Sequence, residues 1–214
     1  MDQSFDPDKM ERLDQAYTDR FARRKGWEDF YLTDPVDDLA LFFGHLPGQS
    51  ILDAGCGWGR YVFRFIDQGL DYAGIDHSVE MLTVAKATNS TAEFKQASFR
   101  NIPFPDCHFD GIWSCCALPA VPKHHLETVL REHLRVLKPG GVMYVVMPAA
   151  PPESYEEIYL DDTGQPSIFQ AHYFIEEFSK YFTDVGFTII EVDYRYRNGS
   201  MYVLAQKPTQ EKTG

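Results

Sequence analysis

The sequence predicts an α/β fold built on a mostly parallel sheet that closes with an antiparallel pair. Three observations carry this. Short apolar runs alternate with helical patterns from residue 50 to 149, the rhythm of βαβ units with right-handed crossovers. Val142 to Met147 is nearly all apolar, as a strand covered on both faces must be. Two later runs, Phe187 to Tyr196 and Ser200 to Gln206, are joined through Asn198-Gly199, a hairpin signal.

The elements follow in order. Residues 1–47 mix charges with aromatics such as Tyr17, Phe21 and Trp27. They predict one helix near 8–24 and another over 35–46, where Leu39, Phe42, Phe43 and Leu46 recur at helical spacing after Pro35. Because the core beyond is already complete in its rhythm, this stretch is expected to be a helical lid. The main domain then spans 48–207. Ser50 to Ala54 predicts a strand, Tyr61 to Ile66 a helix and Tyr72 to Ile75 a strand. Val79 to Ala87 predicts a helix capped by Ser78. Thr91 to Ala97 and Phe109 to Cys115 are the next strands. Leu126, Val129, Leu130, His133, Leu134 and Leu137 form one helical stripe, which Pro139-Gly140-Gly141 stops. Pro148 to Gln170 carries prolines and acids with little period. It reads as a long insertion, placed at 150–172, of the kind that usually serves as a lid or stays disordered. Ile175, Phe178, Phe182 and Val185 mark a helix ending near Gly186, and 208–214 is a tail.

Composition narrows the partners. The 214 residues hold 20 Lys+Arg against 32 Asp+Glu, a formal charge of -12. That balance argues against nucleic acid and against anionic lipid as partners. No apolar run approaches the ~20 residues of a membrane span, and the acidic N-terminus has no secretory h-region. The cysteines, Cys56, Cys107, Cys115 and Cys116, show no C-x-x-C pair. They read as reduced thiols of a cytoplasmic protein, with a redox or metal pair at Cys115-Cys116 as the other reading.

Candidate chemistry begins at Ile51-Leu52-Asp53-Ala54-Gly55-Cys56-Gly57-Trp58-Gly59-Arg60. A buried strand runs into three glycines at alternate positions and then a helix, so backbone and helix N-terminus can approach an anionic ligand closely. A dinucleotide fingerprint requires G-x-G-x-x-G, but Arg60 stands where its third glycine belongs. The pattern suits a different adenosine cofactor. Asp76 ends the second strand about 20 positions later, where a carboxylate can accept both hydroxyls of a ribose. The competing reading is that it only caps the following helix.

With those residues in view the chain resembles the class I S-adenosylmethionine-dependent methyltransferases, small-molecule type, and in particular the quinone-type C-methyltransferase branch. Ile51 to Gly59 is similar to the first motif and Ala73 to Leu82 to the acidic second. Asn101 to Asp106 with Phe109 to Ser114, and Leu134 to Gly141, are similar to the stretches around the fourth and fifth strands. The resemblance covers about 48–149, with weaker support to 207. It implies a Rossmann-like doubly wound seven-stranded sheet, mostly parallel with an antiparallel C-terminal hairpin strand, and S-adenosyl-L-methionine as cofactor.

Carried over by position, the resemblance implies that Asp53, Gly55 and Gly57 hold the amino-acid end of the cofactor, with Cys56 also among the cofactor-binding residues. Asp76 takes the ribose, with His77 and Met81 flanking the adenine. Where the family often has Gly-Asp this chain has Ala97-Ser98, so Ser98, with Phe99, would serve adenine without charge. Ser114 and Cys115 would line the methyl-donor face. Tyr17 stands where related enzymes often place a tyrosine against the cofactor, plain packing being the alternative.

A sulfonium is an activated leaving group, so the protein mainly aligns a nucleophile and excludes water. No catalytic residue is assigned. His108, His124, His125 and His172 are candidate bases by type only, and His133 reads as a satisfied core histidine. No metal signature is present in the sequence. The expected partner is a small-molecule acceptor, apolar or aromatic, and the expected assembly a monomer or homodimer. The alternatives are an NAD(P)-binding Rossmann oxidoreductase and a non-catalytic S-adenosylmethionine-binding protein.

Overall fold

A computed structural model of the chain describes Arg12, Gln15, Ala16, Asp19 and residues 36–149, 155–160, 166–195 and 199–209. The parallel strands are β1 (Ser50–Ala54), β2 (Asp71–Asp76), β3 (Glu93–Gln96), β4 (Phe109–Cys115) and β5 (Leu137–Pro148). Separate from them, β6 (Glu156–Leu160) and β7 (Pro166–Ala171) pair antiparallel. With β8 (Thr188–Arg195) and β9 (Ser200–Gln206), the first five complete a seven-stranded sheet of order β3-β2-β1-β4-β5-β9-β8. β9 alone runs against its neighbours, paired antiparallel to both β5 and β8. Strand order reverses between β1 and β4. In open α/β sheets that reversal opens a crevice at the carboxyl ends of the strands.

Helices cover both faces, which is why β1 and β5 are apolar almost throughout. On one side pack α1 (Val36–His45), α2 (Val62–Ile66) and α3 (Val79–Thr88). On the other lie α4 (Lys123–Val136) and α5 (Ile175–Val185). α5 ends where Gly186 takes φ +107, a conformation glycine adopts without steric cost. The first face is built on aromatics: Trp113 stacks on Tyr144 at 5.0 Å, and Tyr144 on Tyr202 at 5.6 Å. Tyr144 also donates to Asp38 at 2.5 Å, tying α1 to the sheet.

Three expectations need correction. The lid placed over 1–47 does not include α1, because Leu39 and Phe42 are buried in the core. That expectation now concerns only residues before 36. There Arg12, Gln15, Ala16 and Asp19 are helical, while Tyr17 lies outside the described residues. The stretch read as an insertion of little period holds the β6–β7 hairpin, whose strands pair only with each other. Finally, Pro139-Gly140-Gly141 does not end α4, which stops at Val136; the triplet lies inside β5, which starts at once at Leu137. It pairs with Phe109 across a register shift that absorbs the turn. Among the described residues no helix is long and apolar enough to cross a membrane.

Candidate active site

The crevice at the carboxyl ends of β1, β2 and β4 holds a cavity of about 480 Å³. Its floor is the turn after β1. Gly55 N–H and Cys56 N–H both donate to Ile75 O, at 2.9 and 3.0 Å, folding the chain back over β2. Gly55 has φ +83 and Gly57 φ +53. The two differ in what a side chain would meet. A Cβ at Gly55 would stand 2.3 Å from the Ala117 Cβ, whereas at Gly57 nothing lies within 4 Å. Gly55 is therefore required by packing, and Gly57 keeps backbone bare toward the cavity.

Asp76 closes β2 with little exposure, at 7%. Its Oδ2 accepts Gly57 N–H at 2.9 Å and its Oδ1 accepts Ser78 N–H at 2.9 Å. Ser78 in turn caps α3 by accepting Met81 N–H at 3.1 Å. Asp76 thus braces both the glycine turn and the helix start, and a carboxylate with about four acceptor sites still has two to offer a diol. His77, Met81, Ser98, Phe99, Cys56 and Cys115 also line the cavity. The Ser98 hydroxyl oxygen accepts Arg100 N–H at 3.2 Å, leaving its proton free to donate.

Two expected residues stand behind the wall instead. Asp53 is buried and takes the Tyr72 hydroxyl at 2.9 Å. Burial pushes its carboxyl up to about 7; the Tyr72 bond opposes this and the charge of Asp76 adds to it. Ser114 is fully buried, and its Oγ has no partner among the described residues. Neither lines the cavity, because both sit within the strands, one residue before the backbone turns toward the crevice. Of the histidines, His125 lines the cavity, and the His124 ring lies tilted against it, centroids 4.1 Å apart. His108 packs against Phe104 and Phe109, and His172 pairs with Glu157 at 2.8 Å. His133 is core, but only half satisfied. Its Nδ1 meets Val129 O at 2.7 Å, while Nε2 has no partner among the described residues. Burial pushes it down to about 4.

Sequence reasoning missed Arg60, Tyr61, Arg100 and Cys116, together with Phe169 and Gln170 from β7, all of which line the cavity. Cys116 directly follows β4, and Arg60 belongs to the turn between β1 and α2, so both lie in loops that flank the reversal of strand order, a signal available from topology. The β7 residues arrive through a pairing that no local pattern announced. The Cys115 Sγ lies 3.2 Å from the Tyr61 hydroxyl and 3.9 Å from the Cys116 Sγ. Among the described residues no group of three or more His, Cys, Asp or Glu is placed to hold a metal ion.

Residues 51–141 match the family model of a methyltransferase domain. Over that stretch, less than half of the chain, the sequence is similar to methyltransferase domains. An uncharacterized methyltransferase of Synechocystis is 31% identical over 121 residues, 56% of this chain and 55% of the relative. A demethylmenaquinone methyltransferase of Renibacterium salmoninarum is 35% identical over 102 residues, 48% of this chain and 42% of the relative. The chain thus spans about half the length of the curated relatives it matches. In fold it is similar to the 1,6-didemethyltoxoflavin-N1-methyltransferase of Burkholderia thailandensis, solved with its acceptor and S-adenosylhomocysteine. That likeness has a TM-score of 0.73 at 17% identity and covers 95% of this chain and 91% of the other. S-adenosylmethionine is the cofactor of such methyltransferases, and the backbone at Gly57, beside Asp76, is bare enough to leave room for a ligand.

Proposed function

We propose that this chain catalyses methyl transfer from S-adenosylmethionine to a small-molecule acceptor by in-line displacement. The observation that carries the reading is the pairing of an open Gly57 with an acidic strand end, Asp76, at 2.9 Å on the floor of the crevice. When bound, the cofactor supplies an activated methyl group on a cationic sulfur. Gly55 to Gly57 would hold its amino-acid end, Asp76 its ribose, and Met81, Ser98 and Phe99 its adenine. Cys115 and Tyr61 would border the methyl, and Asp53, from behind the turn, would set the charge felt there.

The rest of the cavity suits the acceptor. Phe99, Val129, Phe169, Pro119 and Val121 give it an apolar wall, and about 480 Å³ lies within the usual range of small-molecule sites. An aromatic or otherwise apolar acceptor fits best, in keeping with the quinone chemistry named for the Renibacterium relative. Asp19 accepts from Ser78 Oγ and from Glu80 N–H beside the cavity mouth. We assign the segment before residue 36 a lid role on that contact, tested by amide exchange with and without ligand. The hairpin carrying Phe169 covers the acceptor end.

Calorimetric titration with S-adenosylhomocysteine and with NADH tests the cofactor. Saturable binding of the first and none of the second is expected; the reverse would return the site to a dinucleotide oxidoreductase. Transfer of a labelled methyl to hydroquinones and related acceptors tests the reaction. Cofactor binding with no transfer to any acceptor would make the chain a binding protein.

A further inference from the structure

Two neighbouring cysteines are built into the wall of the cavity, and the reading of the cavity as a cofactor site leaves the second of them without a role. Cys115 ends β4, and Cys116 follows it with φ +56, the left-handed region rarely taken by residues with a Cβ. The turn brings both sulfurs to the same cavity, 3.9 Å apart, with the Cys115 thiol donating to the Cys116 sulfur. The other two cysteines do not share this arrangement. Cys56 also lines the cavity but is buried within the glycine turn and has no neighbouring thiol in sequence, and Cys107 lies on the surface beside Lys207.

We infer that Cys115 and Cys116 are a redox-modification site, closed by peroxide-class oxidants into a disulfide between neighbouring residues that excludes the cofactor. The consequence for binding rests on the function proposed above; the thiol chemistry does not. Cys116 is the exposed member. The bond from Cys115 lowers its thiol and the Arg60 guanidinium adds to that, while burial opposes both; the donating Cys115 thiol is raised. Of the two sulfurs the exposed one is therefore the more readily deprotonated, and its thiolate is the nucleophilic form. It attacks one oxygen of hydrogen peroxide, the O–O bond breaks, and hydroxide leaves a sulfenic acid on Cys116. The Cys115 sulfur then attacks Cys116, the S–O bond breaks and water departs. Two thiols are oxidised and one peroxide is reduced to two waters.

The geometry makes such a bond reversible and felt. Neighbouring Cα atoms across a trans peptide are about 3.8 Å apart, below the usual ~4.4 Å minimum for a disulfide. The closed form is strained and readily reduced, the mark of a labile rather than a structural bridge. Closing it draws the sulfurs from 3.9 Å to about 2.0 Å. Cys115 must leave the Tyr61 hydroxyl, and the backbone into Ala117 must turn. Ala117 already fills the place of a Gly55 side chain, so that rotation presses on the turn that would hold the cofactor.

The full chain is treated with hydrogen peroxide without cofactor, its remaining thiols are alkylated, and its peptides are weighed. The expected product is a peptide carrying both Cys115 and Cys116, unalkylated and lighter by two hydrogens, restored by dithiothreitol. Oxidation should weaken S-adenosylhomocysteine binding at least tenfold in the wild type. It should do the same in Cys107→Ser and leave each affinity ratio near one in Cys116→Ser. A sulfinic acid at Cys116 instead of a disulfide, a bridge to Cys56 or Cys107, or a disulfide without loss of affinity would each overturn the inference. If the reduced chain fails to bind S-adenosylhomocysteine, the cofactor reading falls, and with it the gating.

Discussion

At the amino-end rim of the sheet Asp110 accepts Ser50 N–H at 3.0 Å, the Ser50 hydroxyl at 2.6 Å and the Lys138 ammonium at 2.9 Å. Against the cost of burial, those bonds hold its carboxyl below the ordinary value. Nearby, Arg135 reaches Glu132, Asp106 and the carbonyls of Ile102 and Phe104. At the carboxyl-end rim, Asp53 has one hydroxyl donor and a carboxyl pushed up to about 7 by burial, and the Ser114 hydroxyl has no partner among the described residues. The first rim answers Asp110 with three donors, while the second braces Asp76 but leaves Asp53 and Ser114 short of partners. Rims of the first kind supply stability; those of the second kind trade it for a site.

The largest test of that difference is the pH dependence of Asp53. Its folded value of about 7 stands above the unfolded 3.8, so the folded chain holds that proton more tightly. Its contribution is complete below about pH 4 and is lost as pH rises to 7, up to about 4 kcal/mol in all. Urea midpoints of the unliganded chain should show the wild type falling relative to Asp53→Asn across that window. Parallel curves would remove the assignment. Next, Asp76→Ala should weaken S-adenosylhomocysteine binding by about 3 kcal/mol, roughly a hundredfold, with the fold retained by circular dichroism. Unchanged affinity would take Asp76 out of the site. Arg135→Ala should do the reverse, costing about 2 kcal/mol of stability with no change in affinity. A binding defect there would erase the contrast between the rims. Smallest is Ser98→Ala, expected to weaken binding by about 1 kcal/mol while Ser98→Asp holds it; tighter binding in the alanine variant would show that the hydroxyl serves only Arg100.

Much of this rim was legible before any coordinates. β4 and β9 fall where apolar runs placed them, and Ser78 caps α3 as its position after Asp76 suggested. Glycine spacing located the floor of the crevice, because a strand-to-helix turn is a local matter. What stayed hidden depends on partners distant in sequence. Asp53 looks like a ligand in the motif, yet its side chain is claimed by Tyr72 on the adjacent strand. The β6–β7 hairpin has alternation too short to stand out, and its strands are held by each other, by the burial of Phe169 and Ala171 and by the Glu156 bond to Lys123 N–H. Cys116 reaches the cavity through a left-handed turn that no residue type announces.

The reversed strand β9 has a consequence for how the chain is made. It comes after every other strand, yet it sits inside the sheet, between β5 and β8. During synthesis β5 can pair with β4 on one edge, but the donors and acceptors of its other edge have no ladder to join until Ser200–Gln206 has emerged. A nascent chain halted before that point carries a long apolar edge, the kind that pairs with other chains. The last of the described strands thus acts as the seal on the whole sheet, and damage to it exposes what the earlier strands already built.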